Sequence, residues 1–320
     1  MGQLRIFFST DIHGSECCFI KFLNAAEFHR ADVLILGGDF TGKGFVPLIE
    51  TSPGTFETKF LGRALKGESA EETAKIERAI RDAGYYSFRT TFEEVDALKA
   101  EPKQQEALFK RCIEESVGRW VAIADERLAG KGVQCYISPG NDDPLFVDAL
   151  LTQSRTIVNP EDQVIELGEG IEMISSGYTT PTPWDTEREC SEKELEKRLS
   201  GMIKRVRRPE RAIYNLHCPP LNSRLDEAPK LDKNLRPKTV GGQIEMAAVG
   251  SSAVREAIKK HQPVVGLHGH IHESRGTYKL GKTLCFNPGS QYSDGILNGV
   301  VLELTTDGDV TIKEHLLVAN

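Results

Sequence analysis

The first fourteen residues, MGQLRIFFSTDIHG (1–14), place a short apolar run directly before two side chains that can bind a metal ion. Residues 4–8 have the length and apolar character of a strand buried in a layered sheet. The run leads into Asp11-Ile12-His13. A carboxylate and an imidazole at a strand end can ligate a metal, although such a pair taken alone is more often part of an ordinary turn.

The same arrangement recurs at four further places in the chain. Apolar runs lead into polar groups there, and these groups are Gly37-Gly38-Asp39, Pro139-Gly140-Asn141-Asp142-Asp143, His217 and His268-Gly269-His270. Because the carboxyl ends of strands gather at one edge of the sheet in layered α/β folds, we expect these groups to converge. Two aspartates, one asparagine and four histidines would then meet.

This set of side chains predicts a centre of two metal ions. Imidazole nitrogens and carboxylate oxygens without thiolates suit Mn²⁺, Fe²⁺ or Fe³⁺, Zn²⁺, Co²⁺ or Ni²⁺, and we favour Mn²⁺. Seven ligands are too many for one open catalytic ion but fit two ions that share a bridging carboxylate. Two ions about 3.5–4 Å apart lower the pKa of a bridging water and hold a phosphoryl group during in-line attack.

Composition and charge restrict the classes of function. The chain has 320 residues with 40 Lys and Arg against 47 Asp and Glu, a net charge of −7. The whole molecule therefore has no electrostatic reason to bind nucleic acid or an anionic membrane. No apolar run reaches the roughly 18–20 residues of a membrane span. Seven scattered cysteines without a C-x-x-C pair, and a first strand with no leader before it, lead us to expect a cytoplasmic protein.

Apolar periodicity predicts a layered α/β chain that forms one domain over residues 1–320. Amphipathic helices are expected around residues 19–26, 113–128 and 195–206. Further strands are expected at Ile171–Ile174, Val300–Leu304 and Val310–Ile312. Residues 48–130 show helical patterns but no convincing strand, and they carry 13 basic against 16 acidic residues. We interpret them as a helical insertion that is solvated or faces a partner.

Five motifs resemble the blocks of the calcineurin-like metallophosphoesterase superfamily, which are D-x-H, G-D-x-x, G-N-[H/D], H and G-H-x-H. They stand here, in that order, as Asp11-Ile12-His13, Gly38-Asp39-Phe40-Thr41, Gly140-Asn141-Asp142, His217 and Gly266-Leu267-His268-Gly269-His270. The last block departs slightly, because Leu267 precedes its first histidine. The resemblance covers roughly residues 1–45, 133–145 and 211–292, and the segments at 250–256 and 287–290 are similar to bacterial and archaeal predicted phosphoesterases.

The resemblance implies a four-layer α/β/β/α sandwich and a dinuclear metal site. One ion would be held by Asp11, His13 and His270, the other by Asn141, His217 and His268, and Asp39 would bridge them. The implied activity is that of a metal-dependent phosphodiesterase or phosphatase. A metal-bridging hydroxide would attack the phosphate mono- or diester in line.

Asp142 is the departure that concerns catalysis. Many members of the superfamily have a histidine at this position, where it helps to protonate the leaving group or to bind the phosphate. A carboxyl beside two cations is normally ionised. Asp142 is therefore kept protonated by burial, or a metal-bound water supplies the proton, or the substrates have good leaving groups. The alternative that Asp142 and Asp143 only shape a turn carries equal weight.

Ser251, Ser252 and Arg224 are the candidates for holding a substrate phosphate. Both serines directly precede a predicted helix at about residues 253–260, and exposed amides at a helix start can bind phosphate. Arg224 lies in the irregular stretch 222–250 that follows His217. A plain helix cap and a solvated charged loop are the more frequent interpretations of such residues.

Three functions remain open from the sequence. The first is a hydrolase whose substrate is a small phosphate ester. The second is a catalytically weak protein-interaction scaffold on the same fold, for which the insertion offers a partner surface that would also suit a homo-oligomer. The third is a nuclease, which the acidic balance of the insertion disfavours. Metal content separates the first two.

Overall fold

Two large β-sheets form the centre of the molecule, whose structure is a computed structural model that describes residues 2–306 and 308–320. Within those ranges the strands are β1 (Gln3–Ser9), β2 (Val33–Gly37), β3 (Phe45–Ser52), β4 (Thr55–Phe60), β5 (Arg63–Gly67), β6 (Tyr86–Thr90), β7 (Gln134–Ser138), β8 (Ile157–Val158), β9 (Val164–Gly168), β10 (Ile171–Ser176), β11 (Ile213–Leu216), β12 (Glu227–Pro229), β13 (Thr239–Val240), β14 (Gln243–Ile244), β15 (Met246–Ala248), β16 (Val265–Leu267), β17 (Gly276–Leu280), β18 (Thr283–Asn287), β19 (Asn298–Thr305) and β20 (Thr311–Ala319). The helices are α1 (Glu16–Phe28), α2 (Ala70–Asp82), α3 (Phe92–Ala100), α4 (Pro102–Leu128), α5 (Val147–Leu151), α6 (Glu192–Ile203) and α7 (Ser252–His261).

Each large sheet has six strands, with a parallel centre that carries the predicted polar groups. The first sheet has the order β20-β19-β1-β2-β7-β8, and β1, β2 and β7 run parallel, with Ile6 beside Val33 and Leu34 beside Cys135. The second has the order β17-β18-β16-β11-β10-β9, and β10, β11 and β16 run parallel. Parallel neighbours end at the same edge, so the loops after these strands meet there.

The layers follow from the alternation of side chains along β1. Ile6 and Phe8 point into the apolar cluster between the two sheets, whereas Phe7 points to the opposite face and packs in the cluster with α1 and α4. Phe19 of α1 stacks on Trp120 of α4 at 4.2 Å between ring centroids. Helices α6 and α7 cover the outer face of the second sheet. The predicted four-layer α/β/β/α sandwich is confirmed.

The predicted helical insertion at residues 48–130 is wrong in one respect. It contains α2, α3 and α4, but also a four-stranded sheet with the order β5-β4-β3-β6, which begins at Phe45. Strand β4 (TFETKF) buries only two of six side chains, and β5 (RALKG) and β6 (YSFRT) also mix polar with apolar residues. Such strands lack the continuous apolar run by which a strand buried on both faces is recognised. The irregular stretch 222–250 likewise contains two small ribbons, β12–β15 and β13–β14.

Among the residues that the structure describes, no helix combines the length and the apolarity that crossing a bilayer requires. All seven cysteines are free thiols, as their scatter predicts.

Candidate metal centre

The five loops that follow β1, β2, β7, β11 and β16 meet at one edge of the two sheets, which we call the ligand edge. The backbone N–H of Asp11 donates to Gly38 O at 2.9 Å, and that of His13 donates to Asp39 O at 2.9 Å. These bonds tie the first two loops together. The N–H of His270 donates to both carboxylate oxygens of Asp11 at 3.1 Å. That contact joins the second sheet to the first.

The backbone at the ligand edge adopts conformations that most residues avoid. Asp11, His13, Asp39 and His270 have φ angles of 54°, 39°, 50° and 68°. Such angles persist only where the surroundings fix them, and they concentrate at functional sites. A β-carbon at Gly38 would collide with the His217 ring, so only glycine allows this approach. Four of the seven predicted ligands are thus placed by strained backbone.

The side chains at the ligand edge form three groups whose ligand atoms lie close together. These groups are Asp39 with His217 and His270, Asp11 with His13 and His272, and His13 with Asp39 and Asp142. His217 Nε2 lies 3.3 Å from Asp39 Oδ2 and 3.9 Å from Asp11 Oδ1. His13 Nε2 lies 3.9 Å from Asp39 Oδ2. Asp39 therefore stands between the two histidines, as a bridging carboxylate would.

Hydrogen bonds fix the tautomers of two buried histidines. The ring Nδ1 atoms of His217 and His268 lie 3.0 Å from Gly37 O and 2.8 Å from Leu216 O. Because a carbonyl oxygen only accepts, each Nδ1 carries a proton, so Nε2 is the nitrogen that a metal ion could use. Metal-ligating histidines are usually oriented in this way.

Several of these side chains contain buried polar atoms that pair with no described protein group. The Nε2 atoms of His217 and His268 and the Oδ1 atom of Asn141 have no hydrogen-bond partner within the described residues. The amide nitrogen of Asn141, in contrast, donates to Asp142 and to Thr186 at 3.1 Å. Buried polar atoms are nearly always paired. The unpaired Nε2 of His217 lies beside Asp39 and Asp11 and fits a divalent metal ion, whereas the predicted ligand His268 belongs to none of the three groups.

The electrostatics of the site favour a cation. Burial would raise the pKa values of Asp11 and Asp39, but the neighbouring groups together outweigh it, His217 first among them, with His272 at Asp11 and with His13 and Lys43 at Asp39, and hold both pKa values below the usual range. Burial lowers the pKa values of His268 and His270 to about 4, so both rings are neutral. The two carboxylates overcome burial and raise the pKa of His217 to about 10. Two buried carboxylates demand positive charge, which a divalent ion would supply.

A buried aspartate that is not itself a ligand holds two of the loops in register. The Asp143 carboxylate accepts hydrogen bonds from the backbone N–H groups of Phe40, Thr41 and Gly140 at 3.2, 2.8 and 2.7 Å, and from the Thr41 hydroxyl at 2.7 Å. The buried guanidinium of Arg188 donates in turn to Asp143 O. These bonds join the loop that carries Asp39 to the loop that carries Asn141, and so fix the distance between the two side chains.

Lys43 and Asp142 form an ion pair at the rim of the site. Lys43 Nζ lies 2.9 Å from Asp142 Oδ2, and the Asp142 N–H donates to Asp39 Oδ1 at 2.9 Å. Burial and the Asp39 carboxylate raise the pKa of Asp142 against the opposing effect of Lys43. Burial opposes protonation of Lys43, but Asp142 and Asp39 raise its pKa. Lys43 therefore places a fixed positive charge beside the ligand edge.

Sequence comparison finds relatives that match about half of the chain. No protein-family model matches the chain. An uncharacterized protein of Methanocaldococcus jannaschii is 28% identical over 47% of this chain and 61% of its own length. A UDP-2,3-diacylglucosamine hydrolase of Yersinia pseudotuberculosis is 30% identical over 49% of this chain and 60% of its own length. The chain thus spans about three fifths of the curated relatives it matches.

Solved structures match over nearly the whole chain. One crystal structure aligns with 98% of this chain and 99% of its own, at a TM-score of 0.57 and 16% identity. The protein TT1561 of Thermus thermophilus aligns with 93% of this chain and 94% of its own, at a TM-score of 0.51 and 14% identity. The chain has the metallophosphoesterase fold. Its buried clusters of histidine and aspartate lie at the strand ends where the five motif blocks of that fold stand.

The expected phosphate contacts of Ser251 and Ser252 are contradicted by the structure. The Ser251 hydroxyl donates to Glu192 Oε2 at 2.7 Å, and the backbone N–H groups of Ser252 and Ala253 donate to Glu192 at 2.8 and 2.9 Å. The N-terminus of α7 is therefore already occupied by a carboxylate. Arg224 is exposed, and no hydrogen bond or ion pair joins its side chain to the predicted ligands within the described residues.

Two residues of the ligand edge, Lys43 and His272, receive no role from the sequence, although His272 is the one histidine outside the motif blocks that the sequence places near the site. Lys43 follows the second motif block by two residues, and nothing in its neighbours marks it. His272 had a usable signal, because His268, His270 and His272 alternate along the chain. Strand alternation does not explain its place, because His270 has a φ of 68° and residues 272–273 form a turn.

Proposed function

We propose that this chain is a metal-dependent phosphoesterase that uses two divalent ions, with Mn²⁺ favoured, to hydrolyse a small phosphate mono- or diester. The observation that carries the proposal is the buried Nε2 of His217, which has no hydrogen-bond partner within the described residues and lies 3.3 Å from Asp39 Oδ2 and 3.9 Å from Asp11 Oδ1, together with the unpaired Oδ1 of Asn141. A purely structural cluster would satisfy these atoms internally.

Some residues of the chain would hold the metal ions, and others would orient the phosphate. Asp39 stands within 3.3 Å of His217 Nε2 and 3.9 Å of His13 Nε2, so it is placed to touch both ions. When bound, two ions lower the pKa of a water between them and offset the charge that develops on the phosphoryl group. The Lys43 ammonium, half-exposed at the rim, offers a further positive charge to a phosphate oxygen.

Asp142 is the candidate for handling the leaving group. Its carboxylate is anchored by Lys43 on one side and by the Asn141 amide on the other. It therefore faces the site at a fixed place, where the superfamily often has histidine. The name of the Yersinia relatives supports hydrolysis as the reaction class, and the substrate itself stays open.

The first experiment is a hydrolysis assay. Bis(p-nitrophenyl) phosphate and p-nitrophenyl phosphate would be tested with Mn²⁺, Fe²⁺, Zn²⁺, Co²⁺ and Ni²⁺ in turn. We expect metal-dependent release of nitrophenol that is abolished in Asp39→Ala and His217→Ala. The control is His261→Ala at the end of α7, outside the site, which should retain full activity. Full activity in Asp39→Ala would refute the proposal.

Metal analysis separates this proposal from a protein-interaction scaffold on the same fold. An enzyme of the proposed kind should hold two ions per chain after reconstitution. A protein that retains clearly less than one ion per chain would favour the scaffold.

A further inference from the structure

The segment that contains the ribbons β12–β15 and β13–β14 concentrates exposed apolar side chains. Among the described residues, twelve large apolar side chains are exposed, and five of them lie within residues 235–249, namely Leu235, Val240, Ile244, Met246 and Val249. None of the five belongs to an apolar cluster of the described residues. Single apolar side chains scattered over a surface need no explanation, but a concentration of them marks a site of interaction.

The ribbon β13–β14 ends in a glycine turn that reaches into solvent. Val240 pairs with Gln243, and Gly241 and Gly242 between them have φ angles of 60° and 83°. Positive φ at both central residues is the geometry that joins two strands by a tight turn. A β-carbon at either glycine would meet nothing within 4 Å, and all of residues 233–244 are exposed. We call residues 233–244 the hairpin tip.

The hairpin tip is cationic on an acidic molecule. Its sequence, KNLRPKTVGGQI, contains no acidic residue and three basic ones, Lys233, Arg236 and Lys238. The two acidic residues that flank it are already engaged. Glu245 pairs with Lys230 at 2.7 Å, and the Asp232 carboxylate accepts two backbone hydrogen bonds. The tip therefore carries a charge of +3, whereas the whole chain carries −7.

We propose that the hairpin tip docks on an anionic lipid surface. Aliphatic side chains next to cations are the combination that enters the interface of a bilayer, because the apolar groups insert between the headgroups while the cations contact lipid phosphates. The charge of the whole molecule opposes such binding. Salt screens charges beyond about 8–10 Å, however, so the charge of the tip itself decides. This surface lies outside the predicted ligands, and the inference does not rest on the proposed function.

Other partners match the hairpin tip less well. Proteins that bind single-stranded nucleic acid stack its bases on aromatic side chains, and residues 227–249 contain no aromatic residue. A second copy of the chain would bring the same three cations against one another. Anionic headgroups above acyl chains complement both the charge and the aliphatic character of the tip.

The root of the hairpin is fixed beside the ligand edge. The Ser274 hydroxyl donates to Glu227 O at 2.7 Å and accepts from the Glu227 N–H at 2.9 Å. Asn287 Nδ2 donates to Leu225 O at 3.3 Å and to Ile271 O at 2.9 Å. Ile271 directly follows His270. Docking of the tip would therefore hold the ligand edge within the length of the hairpin from the lipid surface.

Cosedimentation of the full chain with lipid vesicles tests the inference. Vesicles of phosphatidylcholine alone would be compared with vesicles of phosphatidylcholine and phosphatidylserine in equal parts, at low and at physiological salt. We expect binding to the anionic vesicles that weakens with salt. The triple variant Lys233→Gln/Arg236→Gln/Lys238→Gln should bind about 100-fold more weakly, at about fivefold for each cation removed. Val240→Ser/Ile244→Ser should weaken binding at least about tenfold at both salt concentrations.

The matched control removes three exposed cations from the hairpin β4–β5 instead. Lys59→Gln/Arg63→Gln/Lys66→Gln loses the same charge and should bind the anionic vesicles at least as well as a protein of that net charge allows, within about threefold of the wild type. An equal loss in this control and in the tip variant would overturn the inference, because the charge of the whole molecule would then decide. All tip positions are exposed, so the variants should fold, and circular dichroism would check this.

Two further outcomes would overturn the inference while leaving the proposed function intact. The first is a wild type that does not sediment with anionic vesicles even at low salt, yet hydrolyses p-nitrophenyl phosphate with metal. The second is a dimer, seen by analytical ultracentrifugation without lipid, that the tip variants abolish, because a second copy would then occupy the tip. Conversely, vesicle binding by a protein that shows no hydrolysis would support the inference and count against the proposed function.

Discussion

The ligand edge and the four-stranded sheet of β3–β6, which we call the insertion sheet, are built on opposite principles. The ligand edge is buried yet polar, and hydrogen bonds such as the four accepted by Asp143 fix it. The insertion sheet is mostly exposed and rests on a small apolar cluster made of Val46, Leu48, Phe60, Ile80 and Ala83. Hydrogen bonds stabilise the ligand edge, whereas burial of apolar surface stabilises the insertion sheet.

This difference determines how far the effect of a single mutation should extend through the structure. Removing one acceptor from the ligand edge leaves several buried donors unpaired and shifts ligands that belong to different strands. Removing one apolar side chain from the insertion sheet weakens a cluster that contains no predicted ligand. Mutations in the ligand edge should therefore change metal content, whereas mutations in the insertion sheet should not.

Asp143→Ala should give the largest effect. It leaves the N–H groups of Phe40, Thr41 and Gly140 without their acceptor. At 1–3 kcal/mol for each buried donor left unpaired, we expect a loss of about 4 kcal/mol in the free energy of unfolding. Metal content should fall with it, because Asp39 and Asn141 lose their common support. Urea unfolding and metal analysis of the same samples would measure both.

Asp232→Ala is the matched control for that variant. Asp232 also accepts backbone hydrogen bonds, from Asn234 and Arg236 at 2.7 and 3.0 Å, but it does so at the surface. Water replaces it there, so we expect a change within about 0.5 kcal/mol. If both variants lost the same stability, burial would not be what distinguishes the ligand edge.

Leu48→Ala tests the other side of the comparison. Leu48 is fully buried in the insertion sheet, and truncating a buried leucine costs about 3 kcal/mol. Hydrogen exchange should accelerate in residues 45–90, while metal content stays at the wild-type level. Leu61→Ala, at a position 67% exposed in the turn between β4 and β5, should change neither quantity. Loss of metal in Leu48→Ala would show that the two regions are coupled.

The sequence predicts the ligand edge well because its strands are buried on both faces. The runs before Asp11, Asp39, Asn141, His217 and His268 are short and apolar, and the structure has a strand at each of them. The rule that parallel strands end at one edge then brings their polar groups together. The fold class and the proximity of these groups therefore follow from the short apolar runs, the polar groups that end them and the rule that parallel strands end at one edge.

The remaining features depend on contacts that no local pattern encodes. Residues 55–60, TFETKF, place charged and apolar side chains in a strand with one covered face, and this composition also suits a loop. The carboxylate that caps α7 comes from Glu192, which lies 59 residues before Ser251 in the chain. Which acidic residue reaches a helix end is decided by the packing of α6 on α7, so the sequence could not show that the expected phosphate site was filled.

Glu161→Gln probes a half-buried carboxyl group that hydrogen-bonds to the backbone just after β10. Glu161 Oε2 accepts from the Gly177 N–H at 2.8 Å, and burial raises its pKa from an ordinary 4.5 to about 8. Between these values the folded protein retains a proton that the unfolded chain has lost, so wild-type stability falls as pH rises, by at most about 1.4 kcal/mol per pH unit. The neutral glutamine removes this dependence.

We therefore expect Glu161→Gln to become more stable than the wild type as the pH rises from 6 to 8, by about 2 kcal/mol. Urea unfolding at each pH would measure the difference. Glu196→Gln, at an exposed position, should follow the wild type throughout. A difference that does not change with pH would mean that Glu161 is ionised in the folded protein across this range.

Ser251→Ala should give the smallest effect and settles what the start of α7 does. The Ser251 hydroxyl accepts from the Val254 N–H at 3.2 Å and donates to Glu192, and loss of such a cap costs about 1 kcal/mol. Because Glu192 occupies the amides that a phosphate would need, the KM for p-nitrophenyl phosphate should not change. Thermal unfolding and steady-state kinetics on one preparation would separate the two roles. A raised KM with unchanged kcat would mean that substrate binding, and not only the helix, depends on this hydroxyl.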